Sequence, residues 1–332
     1  MPEKLPLSAK CKIAGSGMRF ARIANPQKNG QSPAMRTPQP SKPQDKPLIN
    51  PVKGILWMLF MTLCFVMVNV LVKYVGTGLP VLQSAFLRFA LGLVFLIPAL
   101  GALRQVRFTP RIWKLTFGRA VFHSVAMTCW FFAMTRIPMG EVTSLNFMNP
   151  IYITIGAVIL FGEKIALPRI SALVVAFFGG LVILRPGFRE IDPGHLAMVL
   201  SAMAFAGSYL IANRLVKELP ASVVVFLMSV SVPIVIAPFA LLHWETPTLH
   251  ELLLLFLTAA FATLGHYSMT RAFACAPQSV VQPVVFVQLI WSVTFGYLLF
   301  GEAIDPFVML GGAMIIGAIS FITWRETRKK PA

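Results

Sequence analysis

Long apolar runs, broken by short joints that carry Gly, Pro or charge, follow one another along the chain from residue 54 onward. A bilayer core takes about 20 apolar residues per helix. Ten runs fit: Gly54–Lys73, Pro80–Leu100, Lys114–Thr135, Pro138–Phe161, Arg169–Leu184, His195–Arg214, Ser222–His243, His250–Arg271, Pro277–Phe300 and Pro306–Trp324. The joints hold the residues that end helices. The pattern predicts an all-α membrane protein with ten transmembrane helices, whose first surroundings are the lipid bilayer.

Composition agrees. Hydrophobic residues make up 57% and charged residues 12% of the 332-residue chain, against roughly 45–50% and 25% in soluble domains. The net charge of +17 would suggest nucleic acid in a soluble protein. Here the basic residues flank apolar runs, so they report topology and no nucleic-acid partner is expected. With the N-terminus in the cytoplasm, twenty-three of the 29 Lys and Arg fall on the inner side and four on the outer. Both termini are then cytoplasmic, as an even number of spans requires. Trp57, Trp113, Trp244 and Trp324 lie at span ends, as interfacial rings should; Trp291 lies in mid-span. Residues 1–50 are basic and Pro-rich and bury too little to fold. They read as a disordered cytoplasmic tail, or as an over-long start with Met18 or Met35 as the first residue. Cys11, Cys64, Cys129 and Cys275 form no CxxC or Cys/His spacing, so no disulfide framework, metal site or cofactor is expected. Nothing in the chain specifies an oligomeric state.

The second half repeats the first. IPMGEVTSLNFMNPIYITIGAVILFGEK and APQSVVQPVVFVQLIWSVTFGYLLFGEA align when Gly162–Glu163 is set on Gly301–Glu302, an offset of 139 residues. The units are 54–185 and 194–324, five spans each. An odd number of spans makes the second unit enter the membrane from the opposite side. Inverted five-helix repeats are an architecture of secondary transporters, with the site near the midplane between the units.

Several residues carry candidate chemistry. Tyr152 and Trp291 each stand ten residues before the Gly of their unit, roughly 15 Å from a helix end at ~1.5 Å per residue. They are expected to meet near the midplane, each sharing a helix face with an amide three residues earlier, Asn149 and Gln288. The four read as walls of a cavity for an organic solute, or as interhelical packing. Pro150 and Pro283 are expected as mid-helix kinks that free a carbonyl. Arg88, eight residues after Pro80, reads as a solute-anion contact, a snorkelling side chain or one half of an ion pair. Arg119 is expected to snorkel toward the inner face. His123, His266 and Glu141 are coupling or gating candidates. Glu141 follows Pro138 in a first helical turn, where an acid also favours the helix dipole. Glu163 and Glu302 read as caps or ion pairs at helix turns, and Gly179–Gly180, Gly311–Gly312 and Gly317 as sites of close helix approach. An integral-membrane enzyme acting on a lipid or amphiphile would need clustered nucleophiles, ligands or paired acids. No two acids share an intramembrane face.

Over residues 54–324 the order of these motifs resembles the EamA family of the drug/metabolite transporter superfamily: FLRFA around Arg88, GRAVFH around Arg119, the IPMGEVTSLNFMNPIYITIGAVILFGE segment, LGHYSMTRAFACAPQSVVQP and the paired FGE boxes. The resemblance implies a bacterial inner-membrane carrier that works by alternating access, without ATP or cofactor, on a small-molecule metabolite. Relatives are associated with amino acids, purines, riboflavin and S-adenosylmethionine, so the resemblance chooses no substrate. Many relatives carry an acid where Asn69 stands, and Tyr or Pro near Phe286 and Leu289.

Overall fold

The computed structural model describes residues 50–103, 106–161, 167–188 and 190–328. The chain divides into Met1–Lys46 and Pro47–Ala332, and all that follows concerns the second unit. The expected tail lies outside the described residues except for Asn50, and so does Glu163.

Helix starts follow local chemistry. Three helices begin with a capping side chain followed at once by proline, whose missing N–H costs nothing in a first turn. Asn50 accepts from the Lys53 amide at 3.0 Å to open α1 (Pro51–Val75). Thr109 accepts from Ile112 at 3.3 Å to open α4 (Pro110–Arg136). Asp192 accepts from Gly194 at 2.6 Å to open α8 (Pro193–Leu215). Thr248 and Glu251 form a reciprocal capping box at the start of α10 (Leu249–Cys275). The remaining uninterrupted helices are α7 (Leu167–Leu184), α9 (Ala221–Leu242) and α13 (Pro306–Arg328).

Three helices are interrupted. α2 (Val81–Gly92) tightens into a 3-10 stretch, Leu93–Ala99, before α3 (Leu100–Leu103). α5 (Met139–Asn146) stops before α6 (Asn149–Phe161). α11 (Gln278–Val281) leads through a 3-10 stretch, Gln282–Phe286, into α12 (Val287–Phe300). Counted with their interruptions these segments make ten helices, and no strand occurs among the described residues. Six are long and apolar enough to cross a membrane: Pro51–Val75, Met139–Ile159, Pro193–Leu215, Ser222–Leu242, Leu249–Cys275 and Gln282–Phe300. Val81–Ile97, Ile170–Leu184 and Pro306–Ile322 are shorter apolar helices.

The prolines depart from the expected mid-helix kinks. Pro150 occupies the first turn of α6 and Pro283 the first turn of a 3-10 stretch. A proline disfavours helical backbone at the residue before it, so the preceding helix ends and a new one begins. True mid-helix prolines are Pro233 and Pro238 in α9.

Helices pack in pairs that join the two halves of the chain: α1 on α10, α4 on α8, α2 on α9, α5 on α12 and α7 on α13. The α7–α13 register is antiparallel. Gly179 faces Gly311 and Ile315, Ile183 faces Gly311, and Arg185 pairs with Asp305. The α5–α12 register is antiparallel too, with Gly140 on Val293 and Thr143 on Ser292, while the Met139 amide reaches Glu302. A Cβ on Gly179 would come within 2.8 Å of the Gly311 carbonyl oxygen, so hydrogen alone fits there. Gly180 and Gly312 face Met148 and Leu289 with equally little room, whereas nothing lies within 4 Å of a Cβ on Gly317. Close approach thus covers four of the five expected glycines.

Gly179→Leu is expected to lower the apparent unfolding temperature of detergent-purified protein, at a cost of about 1–3 kcal/mol or more from overpacking. Gly317→Ala is expected to leave it unchanged; differential scanning fluorimetry reads both.

Candidate functional site

Two of the three interrupted helices, α5–α6 and α11–α12, meet at their interruptions. Phe147 stands in the gap between α5 and α6, and Phe286 ends the 3-10 stretch before α12. Their rings touch edge to face, centroids 5.3 Å apart at 89°. These residues are 139 apart, the repeat offset, so each is the other's counterpart. Beside them a chain of side-chain bonds ties three helices. Asn69 donates to Thr143 at 3.4 Å, and Thr143 donates to Ser292 at 2.8 Å. Asn69, where relatives often carry an acid, is therefore committed to a protein contact.

Tyr152 and Trp291, expected to meet, each lie five residues beyond the Phe147–Phe286 contact, and both pack against the same apolar core. Asn149 and Gln288, two residues past the contact, stay near its level. Asn149 donates to Asn146 at 3.1 Å while its Oδ1 is buried without a partner. Trp291 stacks on Phe295 at 6.4 Å, and its indole N–H is likewise buried and unpartnered. Tyr152, Gln288 and Trp291 are half-buried.

A second group surrounds Arg88. Its guanidinium lies over the Phe89 ring at 4.7 Å, and its Nε is buried with no partner. His123 meets Phe89 at 5.9 Å and Phe205 at 5.3 Å, both edge on, and lies 3.2 Å from the Ser208 hydroxyl. Tyr209 stacks on Phe205 at 6.1 Å, and His266 meets Phe65 at 5.1 Å. Arg88, Arg119 and His266 all act electrostatically on His123. Arg119 does not snorkel. It is 7% exposed, and it donates to the Val224 carbonyl at 2.9 Å and to the Met228 sulfur at 3.2 Å. The next helix thus satisfies its two terminal nitrogens, while its Nε stays buried without a partner. Tyr209 is 46% exposed although it stacks on Phe205 and acts on Arg119. His266 is exposed although it is an electrostatic neighbour of Arg88 and Arg119. Both therefore keep free surface.

Several links gather at one end of the bundle. Glu141, in the first turn of α5, is 3% exposed and lies 2.6 Å from the Nε2 of His195 on α8, which is 4% exposed. Lys73 pairs with Glu302 and donates to the Ile137 carbonyl at 3.0 Å; Glu302 also accepts from the Met139 amide at 2.8 Å. Gln83 and the Glu245 backbone exchange two hydrogen bonds, of 2.5 and 2.9 Å. Arg185 pairs with Asp305.

Sequence reasoning missed Phe147, Phe205, Tyr209 and His195. The offset that paired Tyr152 with Trp291 also pairs Phe147 with Phe286. Phe205 and Tyr209 are four apart on one helix face. Nothing in the sequence pairs Glu141 with a histidine 54 residues away.

A separate cavity of about 270 Å³ lies between α2, α4, α8 and α9, beside Pro80, Cys129, Phe132 and Phe239. Its lining is almost wholly apolar, so it presents little to orient a polar solute.

These features define a class, a multi-pass helical membrane protein with a polar, aromatic interior. The family model described as "EamA-like transporter family" matches residues 52–185 and again 192–324. The chain belongs to the EamA-like transporter family. It is 30% identical over 292 residues to a riboflavin transporter of Vibrio cholerae, covering 84% of this chain and 96% of that protein. It is 28% identical to an S-adenosylmethionine uptake transporter of Rickettsia prowazekii, covering 83% and 94%. It is 25% identical to the pseudopaline exporter CntI of Pseudomonas aeruginosa, covering 83% and 97%. A solved crystal structure shares the fold at a TM-score of 0.56 and 18% identity, over 84% of this chain and 99% of that one.

In a cysteine-free background, Tyr209→Cys and His266→Cys are expected to react with a water-soluble maleimide at least several times faster than Ile234→Cys, whose 66% exposure lies on the outside of α9. Equal rates would mean that the interior space is dry.

Proposed function

We propose that the chain is a secondary carrier that moves a small organic metabolite across the bacterial inner membrane by alternating access. In this reading ten helices cross the membrane as two five-helix repeats of opposite orientation, 54–185 and 194–324, with both termini cytoplasmic. No bond of the solute is made or broken.

The observation that carries the reading is the Phe147–Phe286 contact. Counterparts in a repeat touch each other only where a two-fold axis passes between them. The helix pairing supports such an axis: the first helix of one half packs on the third of the other, and the exchange is reciprocal. Counterpart helices that touch run antiparallel, as α5–α12 and α7–α13 do. An axis lying in the membrane plane requires that; an axis along the membrane normal would make them parallel. Interrupted helices beside such an axis are where carriers of this build hold solute. Asn149 Oδ1, Trp291 Nε1 and Arg88 Nε, all buried and unpartnered, supply the polar atoms. Asn149, Tyr152, Gln288, Trp291 and Arg88 are thus the proposed solute contacts, with His123 and His266 alongside.

The tied end is the proposed closed gate, on the outer side. Its links join residues of one repeat to residues of the other, so they must break when that side opens. Glu141 and His195 form one such link, and a carboxylate there is suited to carry a coupling proton.

Trp291→Ala and Asn149→Ala are each expected to abolish saturable counterflow in proteoliposomes, using solutes found by a thermal-shift screen, with membrane insertion intact. Wild-type flux in both variants, or flux that never saturates, would refute the reading. Glu163→Cys and Glu302→Cys are expected to label from opposite sides of the membrane. Glu141→Gln is expected to lose gradient-driven accumulation and keep exchange; unchanged accumulation would leave Glu141 as a helix-end charge alone.

A further inference from the structure

The group around Arg88 has an unusual charge balance for a membrane interior. Arg88 of α2 lies over the Phe89 ring, which meets His123 of α4 edge on, and Arg119 stands one helical turn from His123. Among the described residues Glu141 is the sole buried acid, and it is engaged by His195. The other described acids that form ion pairs with cations do so elsewhere: Glu302 with Lys73, Asp305 with Arg185, Glu218 with Arg111. Arg119 donates from its two terminal nitrogens to the Val224 carbonyl and the Met228 sulfur, and its Nε is buried without a partner. Arg88 makes no hydrogen bond or ion pair with a described residue; it has only the face of Phe89, and its Nε is buried. A guanidinium held in low dielectric without a carboxylate is costly. It becomes favourable when an anion arrives, because a planar guanidinium matches a carboxylate or phosphate with two parallel hydrogen bonds.

Rings lead away from Arg88: Phe89 of α2 meets His123, His123 meets Phe205 of α8 and Phe205 stacks on Tyr209, while on α10 His266 meets Phe65 of α1. Aromatic and imidazole faces hold flat solutes by stacking and edge contacts at little entropic cost. We infer that the transported solute is an organic anion built on a planar ring, whose carboxylate or phosphate docks on Arg88 while its ring lies among Phe65, Phe89, Phe205 and Tyr209. The inference rests on the carrier reading and names the substrate class of the same site. Of the solutes printed for its relatives, riboflavin is uncharged and lacks the anionic group, whereas S-adenosylmethionine joins a carboxylate to a sulfonium cation.

The test uses the purified full-length chain and ring compounds matched in shape: nicotinate against nicotinamide, orotate against uracil, flavin mononucleotide against riboflavin, with 1-methylnicotinamide as the cation. The acids are expected to raise the unfolding temperature in a saturable way, above any effect of the uncharged partners or the cation. Arg88→Gln is expected to weaken acid binding roughly thirtyfold or more, as loss of one partner of a desolvated charge pair does. Arg88→Lys, which keeps the charge but not the fork, is expected to fall between. Should Arg88→Gln fail to fold, Tyr209→Leu and His266→Leu serve instead, each expected to weaken acid binding. Stabilisation by uncharged or cationic compounds equal to that by the acids would overturn the inference. So would no effect of any acid, or acid binding untouched in every variant. Counterflow separates the two readings. An acid that binds without saturable flux fails the carrier and leaves the anion site standing; saturable flux confined to uncharged or cationic compounds does the reverse.

Discussion

The structure depends on a constraint that lipid imposes on backbone. A peptide group inside a bilayer has no water to bond, so a helix can be interrupted there only where protein or an internal aqueous space takes up the freed groups. α5–α6 and α11–α12 are both interrupted, and the interruptions face each other across Phe147 and Phe286. Phe147 and Met148 are buried there, while no residue of Gln282–Phe286 is fully buried. The Asn69–Thr143–Ser292 chain fixes the crossing beside them. Polar atoms on the same segments, Asn149 Oδ1 and Trp291 Nε1, are left buried without a protein partner. A packed core would have satisfied them or replaced them by apolar atoms.

The second organising feature is the division of labour among charges. At one end of the bundle Lys73, Arg185 and His195 each meet an acid from the other half of the chain. Such links hold two rigid parts together and can be exchanged for others when the parts move, because an ion pair has discrete alternatives where close-packed side chains do not. In the interior the charges are of one sign, and Arg88 has only an aromatic face. Paired charges thus belong to the proposed gate and unpaired ones to the proposed site.

The relatives bear on this division. Proteins named for riboflavin, for S-adenosylmethionine and for pseudopaline share a fold and a quarter to a third of their residues with this chain. Fold therefore leaves the solute open, as it does for widely used architectures. What distinguishes one member from another is the side chains presented to the interior. In this chain those are an arginine without a carboxylate, two imidazoles and a ring of aromatics.

The sequence by itself determined whatever depends on hydropathy and neighbours close in the chain. The apolar runs specify membrane helices, Asn50–Pro51, Thr109–Pro110 and Asp192–Pro193 set where helices start, and the 139-residue offset gives the duplication. Burial in lipid and capping are local, so a string of residues encodes them directly. The tertiary structure alone decided which counterparts meet. Phe147 and Phe286 touch, because register at a crossing depends on where two helices are interrupted. It alone turned Arg119 inward to the Val224 carbonyl, joined Glu141 to His195 and gathered Arg88, His123 and His266. Those contacts span tens to over a hundred residues of chain, and the forces that select them, charge desolvation and close packing, act through space between helices that the sequence lists far apart.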